Sequence, residues 1–100
     1  MSDAADISAS DVPSLRPPLR LQWEEAQQAW VLLYPEGMIK LNRSAGEIMR
    51  LCNGQRSVDQ LIAELEVLFQ SSGFRNDVLV FMTMARKQRW LAFTQGKAGS

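Results

Sequence analysis

The side chains here best suited to acid–base, nucleophilic or metal chemistry are eleven carboxylates, running from Asp3 to Asp77, and one thiol, Cys52. Histidine is absent, so the commonest general base at neutral pH and the commonest metal ligand are both missing. Most of the carboxylates fall on polar faces or in connections. No glycine-rich phosphate loop, nucleophile elbow or metal-ligand spacing occurs. Cys52 lies on the apolar stripe of a helix described below, a setting that favours a buried, inert thiol over a nucleophile. A single cysteine permits no internal disulfide and no cysteine metal cluster, and it suits a reducing compartment. These residues point to a domain that binds rather than catalyses: no catalytic residue, no metal, no cofactor.

Composition narrows the partners. One hundred residues make about one small domain. Lys plus Arg and Asp plus Glu each number 11, giving a formal net charge of zero, which argues against general nucleic-acid binding through many phosphate contacts. No apolar run reaches the length of a membrane span, and the start MSDAADISASDV lacks the basic-then-apolar order of a signal peptide. The expectation is a cytoplasmic protein with no nucleic acid and no membrane among its partners.

The elements that must position a binding site read clearly from residue 19 onward. Residues 1–18 are rich in Ser, Asp and Ala and carry Pro13, Pro17 and Pro18; they are expected to form a disordered, dispensable arm. Leu19, Leu21 and Trp23 then alternate with polar residues, as in a strand with one buried face. Trp30–Tyr34 is apolar on both faces and suits a central strand. Pro35-Glu36-Gly37 turns the chain. Met38–Asn42 makes a third strand, with Ile39 and Leu41 on one face and Met38 and Lys40 on the other. This is a three-stranded antiparallel meander with its third strand at an edge.

The period then becomes helical. Asn42 or Ser44 can cap a first helix, with Ser44 and Glu47 spaced as a capping box. Ile48, Leu51 and Cys52 form its stripe, and Asn53-Gly54 its stop. Gly46 inside it suggests close packing. Ser57 and Gln60 form a second capping box before Val58, Leu61, Ile62, Leu65, Leu68 and Phe69. Asn76 caps a third helix reaching about Arg89. Trp90–Phe93 can extend as a short wing strand, leaving a frayed tail over 94–100. The fold class is α+β: a winged helix-turn-helix-like domain over 19–93, three strands followed by three helices and a wing.

Two features of that order bear on binding. The edge strand Met38–Asn42 has no proline and one charge, Lys40, so it offers unpaired backbone groups to another strand; the same edge leaves monomer and homodimer both open. The third helix, with Val78, Leu79, Val80, Phe81, Met82, Met84 and Ala85, is too apolar for one buried stripe, and methionine is common on surfaces that accommodate partners. A winged helix-turn-helix also raises DNA binding as an alternative. Against it, the middle of the third helix reads VLVFMTMAR, without a run of base-reading side chains, and its cations Arg86, Lys87 and Arg89 sit at the wrong end.

The stretch LLYPEGMIKLNRSAGEIMRLCNGQRSVDQLIAEL (32–65), followed by FMTMARKQRWL (81–91), resembles the PqqD family of pyrroloquinoline quinone biosynthesis. The shared pieces are Pro35-Glu36-Gly37, Lys40-Leu41-Asn42, Ala45, Ile48, Leu51-Cys52-Asn53-Gly54 and Ser57-Val58. The resemblance covers roughly residues 15–93 and assigns no role to the N-terminal arm. It implies a winged-helix peptide chaperone that binds the precursor peptide PqqA and presents it to PqqE, a radical S-adenosylmethionine enzyme that cross-links a Glu and a Tyr of that peptide. It further implies that the peptide adds to the third strand and packs on the third helix. That would place it against Met38, Ile39, Lys40, Leu41 and Asn42, with Val78, Phe81, Met82, Ala85, Arg86 and Arg89 nearby.

Overall fold

The structure is a computed structural model and describes residues 7–95. The described chain runs β1 (Val12–Leu15), β2 (Arg20–Glu24), β3 (Ala29–Tyr34), β4 (Gly37–Lys40), α1 (Arg43–Leu51), α2 (Val58–Phe69), α3 (Arg75–Lys87) and β5 (Leu91–Thr94). The α+β winged-helix order read from the sequence is present, with one strand more than expected.

Alternation builds the meander. β3 lies between β2 and β4, antiparallel to both, and the register aligns Leu21 with Leu32 and Leu32 with Ile39. That row joins Leu19, Trp30 and Leu41 on the face packed against the helices, because a period of two sends every second side chain to the same side. Trp23 departs from the expected burial. It is 40% exposed and meets Trp30 edge to face at 5.5 Å.

The N-terminal segment corrects the sequence reading. Residues 1–6 lie outside the described residues, but residues 7–18 are built into the domain. Ile7 and Pro13 are buried, and β1 pairs with β5 in a second, two-stranded sheet. On its other side β1 meets the α1–α2 connection: the Leu15 amide donates to the Cys52 carbonyl (3.1 Å) and the Gly54 amide to the Pro13 carbonyl (3.0 Å). Pro13 fits because its missing N–H falls in the register facing that connection, where only its carbonyl is needed. Composition alone reads proline as a breaker and misses this. The domain therefore begins before residue 19, and β5 carries it to Thr94; of the tail expected over 94–100, residues 96–100 lie outside the described residues.

The helices start where their first amides find acceptors. Asn42 caps α1, its Oδ1 accepting from the Ala45 amide at 2.8 Å. The Ser44–Glu47 box does not form; Glu47 instead pairs with Arg50 at 2.8 Å. The Ser57–Gln60 box does form at α2, and the amides of Val58 and Asp59 donate to the carbonyls of Asp11 (2.8 Å) and Ala9 (2.9 Å). Helix α3 begins at Arg75, before Asn76, which therefore does not cap it; Phe74 takes that position without a side-chain bond. Tertiary contacts set this start. Phe74 stacks edge to face on Phe69 at 6.2 Å, and Arg75 pairs with Asp59 of α2.

Gly46 marks the crossing of α1 over the sheet. A Cβ there would come within 2.9 Å of Trp30 Cδ1 and 3.1 Å of Trp30 Cβ. Cys52 is buried beneath the same layer, and burial pushes its thiol up to about 12, opposed in part by Arg56.

Three outcomes follow from this packing. Removing residues 1–15 strips burial, the β1–β5 ladder and two α2 amide acceptors, so thermal melting should fall by about 10 °C or more. Gly46→Ala should gain about 1 kcal/mol of helix propensity but lose more to the clash with Trp30, for a net loss of about 1–2 kcal/mol in urea unfolding. Because the folded thiol keeps its proton until about 12 while the unfolded thiol loses it near 9.0, stability should decline as pH rises between those values. The slope in denaturant titrations should approach about 1.4 kcal/mol per pH unit and flatten in Cys52→Ala.

Candidate peptide-binding groove

Strand β4 is an edge, and its register decides which backbone groups are free. The Leu41 amide donates to the Trp30 carbonyl at 2.9 Å, continuing the ladder in which Ile39 faces Leu32 and Gly37 faces Tyr34. In an antiparallel pair the bonded residues alternate with residues whose N–H and C=O point away. Met38 and Lys40 therefore present donors and acceptors to the open side. Their side chains point away from the core, Met38 being 58% exposed, while Ile39 and Leu41 anchor the strand from beneath.

The open edge runs between two cavities, one lined by α3 and the other by the residues just after it. At the Asn42 end lies a cup of about 630 Å³, lined chiefly by Ala45, Ile48, Phe69, Phe74, Phe81 and Met84. It is largely apolar and of a size that takes a large side chain. Arg43 stands over the Phe69 ring at 5.0 Å. At the Gly37 end a second cavity of about 530 Å³ has Ile39, Tyr34 and Trp90 among its lining residues, with Arg16, Arg89 and Glu36 supplying charge.

The structure divides the residues singled out from the sequence. Met38, Ile39 and Lys40 lie on β4, and Leu41 and Asn42 continue it toward the cup. Asn42 spends its side chain on the α1 cap. Phe81 lines the cup, as does the largely buried Val78. Met82 and Ala85 are fully buried, so they support the groove from below rather than offering surface. Arg89 lines the second cavity. Arg86 lies apart from these, over the Phe93 ring of β5 at 5.9 Å and beside a cavity that Ser8, Asp11 and Arg16 also line.

Sequence reasoning missed Phe69, Phe74 and Met84 as parts of the cup. Met84 was legible, lying three residues after Phe81 and so on its side of the helix. Phe74 was not, because it precedes the helix and reaches the cup through the α2–α3 turn. Among the described residues no group of His, Cys, Asp or Glu is placed to hold a metal ion, and no helix is long and apolar enough to cross a membrane.

Comparison with known proteins agrees with the fold. Residues 29–91 match the family described as Coenzyme PQQ synthesis protein D (PqqD). A protein of Azotobacter vinelandii named PqqA binding protein is 44% identical over 88 residues, covering 87% of this chain and 96% of that one. Its namesake in Pseudomonas aeruginosa (strain UCBPP-PA14) is 47% identical over 85 residues, covering 84% and 92%. The solution structure of the PqqD truncation of Methylobacterium extorquens PqqCD superposes with a TM-score of 0.72 at 27% identity, over 91% of this chain and 99% of that one. It is described as a functional, stand-alone recognition element for ribosomally synthesized and post-translationally modified peptides. With its meander, three helices and closing strand in the same order, and with this match over most of its length, the chain belongs to the PqqD family.

Proposed function

We propose that this chain is a non-catalytic peptide chaperone of pyrroloquinoline quinone biosynthesis, which binds the precursor peptide PqqA as an added strand on β4 and presents it to the radical S-adenosylmethionine enzyme PqqE. The observation that carries the reading is the outward-facing backbone of Met38 and Lys40 beside an apolar cup. Strand addition draws affinity from backbone bonds and selectivity from side-chain pockets, and the groove supplies both. The relatives' name, PqqA binding protein, supports the choice of peptide. The DNA-binding alternative has little to stand on: Val80 and Met84 are exposed along α3, where base readout needs Arg, Asn or Gln.

The test is proline at the open register. Lys40→Pro removes a donor that points away from β3, so the domain should stay folded by circular dichroism while its affinity for PqqA in calorimetry weakens by about 1–3 kcal/mol. Lys40→Ala keeps that donor and should cost less. Ile39→Pro should damage the fold itself, because its amide belongs to the β3 ladder. A folded Lys40→Pro with undiminished affinity would move the peptide to another surface. PqqE acting on PqqA equally well with and without this chain would remove the presenting role.

A further inference from the structure

The cavity at the Gly37 end of β4 differs in chemistry from the cup at the other end. Tyr34, Trp90 and Ile39 give it apolar surface, and its charged groups are Arg16, Arg89 and Glu36, two cations to one carboxylate. Neither Arg16 nor Arg89 pairs with a carboxylate among the described residues. Arg89 also occupies an unusual backbone site. Helix α3 ends in a double-bonded terminus: the Arg89 amide donates to the Arg86 carbonyl at 3.0 Å and the Trp90 amide to the Ala85 carbonyl at 2.8 Å. This motif puts the residue after the cap in the left-handed region, where glycine is the usual choice because it has no Cβ to strain. Here that residue is arginine, at φ 64°. A long cation is thus held at a strained position, beside a cavity that the edge strand also reaches.

Resting on the strand-addition reading, we propose that this cavity is a subsite for a carboxylate side chain of the bound peptide, taken by Arg89 with Arg16 in support. Both arginines are exposed, so the pair is charge-assisted but screened by solvent, while the Tyr34 and Trp90 rings beside it offer apolar surface to the stem of the bound acid. The opposite end of the groove takes an apolar side chain. The two anchors lie at opposite ends of β4, which is four residues long, so they are roughly four residues of extended peptide apart at about 3.3 Å each. A peptide carrying an acid and an apolar residue at that spacing has only one direction in which both fit, so the subsite sets the polarity and register of the added strand.

The experiment uses the full chain and the PqqA peptide. Arg89→Gly suits the left-handed backbone, so its melting temperature should stay level or rise by a few degrees. Its affinity for PqqA in calorimetry should nevertheless fall about three- to tenfold, less at high salt. Arg50→Gln, a guanidinium paired with Glu47 away from the groove, should bind as the parent does. PqqA variants with each Asp or Glu replaced singly by Asn or Gln then locate the partner: one of them should lose the same factor against the parent protein and nothing further against Arg89→Gly. Unchanged affinity in Arg89→Gly, or a loss that no single carboxylate shares, overturns the subsite. If Lys40→Pro weakens binding while Arg89→Gly does not, strand addition stands and the subsite alone fails. If the parent protein does not bind PqqA, the strand-addition reading fails first and takes the subsite with it.

Discussion

The first amides of α2 have no acceptors within their own helix, and the carbonyls of Asp11 and Ala9 and the hydroxyl of Ser57 supply them. Two of these three come from the segment before β2, so the start of the chain is tied to its middle. From there β1 runs between β5 and the α1–α2 connection, using its backbone on both sides. That single strand fixes the junction of α1 with α2 and the exit of α3. The Arg16 amide donating to the Trp90 carbonyl at 2.9 Å closes the arrangement at the end of α3. The elements that border the groove are held in this way by backbone bonds made far from it.

The topology of the meander leaves some backbone unpaired. A meander has two edges, and among the described residues β4 leaves the backbone of Met38 and Lys40 without partners on its outer side. Open edges invite uncontrolled pairing, and natural sheets restrain them with charge and short length. β4 is four residues long and carries Lys40, which keeps the edge short and hydrated while leaving its donors usable. The proposed addition of a peptide strand at this edge would rely on that compromise.

Helix α3 has to satisfy two neighbours. Val78, Met82 and Ala85 form its buried row against the core, while Phe81 and Met84 turn toward the cup with Phe69 and Phe74 from the α2 side. Its apolar excess is therefore explained by two faces rather than by one broad stripe. The close crossing of Gly46 over Trp30 lets α1 lie against β3, which brings Ala45 and Ile48 to the cup and places the end of β4 beside it.

The local physics of the chain determined the meander, its inward row and the helix order, since alternation, turn residues and the Ser57–Gln60 box all act over a few residues. The same logic placed Ile39 and Leu41 inward and Met38 and Lys40 outward. What short-range patterns could not determine was long-range pairing. Proline content made residues 7–18 look unstructured, yet Pro13 is buried because β5, at the far end of the described chain, and the 52–54 connection both reach it. Asn76 looked like a cap, and the Phe69–Phe74 contact started the helix earlier. Arg86 and Arg89 are three residues apart, but the left-handed turn at the end of α3 leaves one over Phe93 and the other beside the edge strand. Local pattern set most of the buried positions along each element, with Trp23 and Leu68 as exceptions; tertiary hydrogen bonding and packing decided which elements meet, because those bonds join groups that no local pattern brings together.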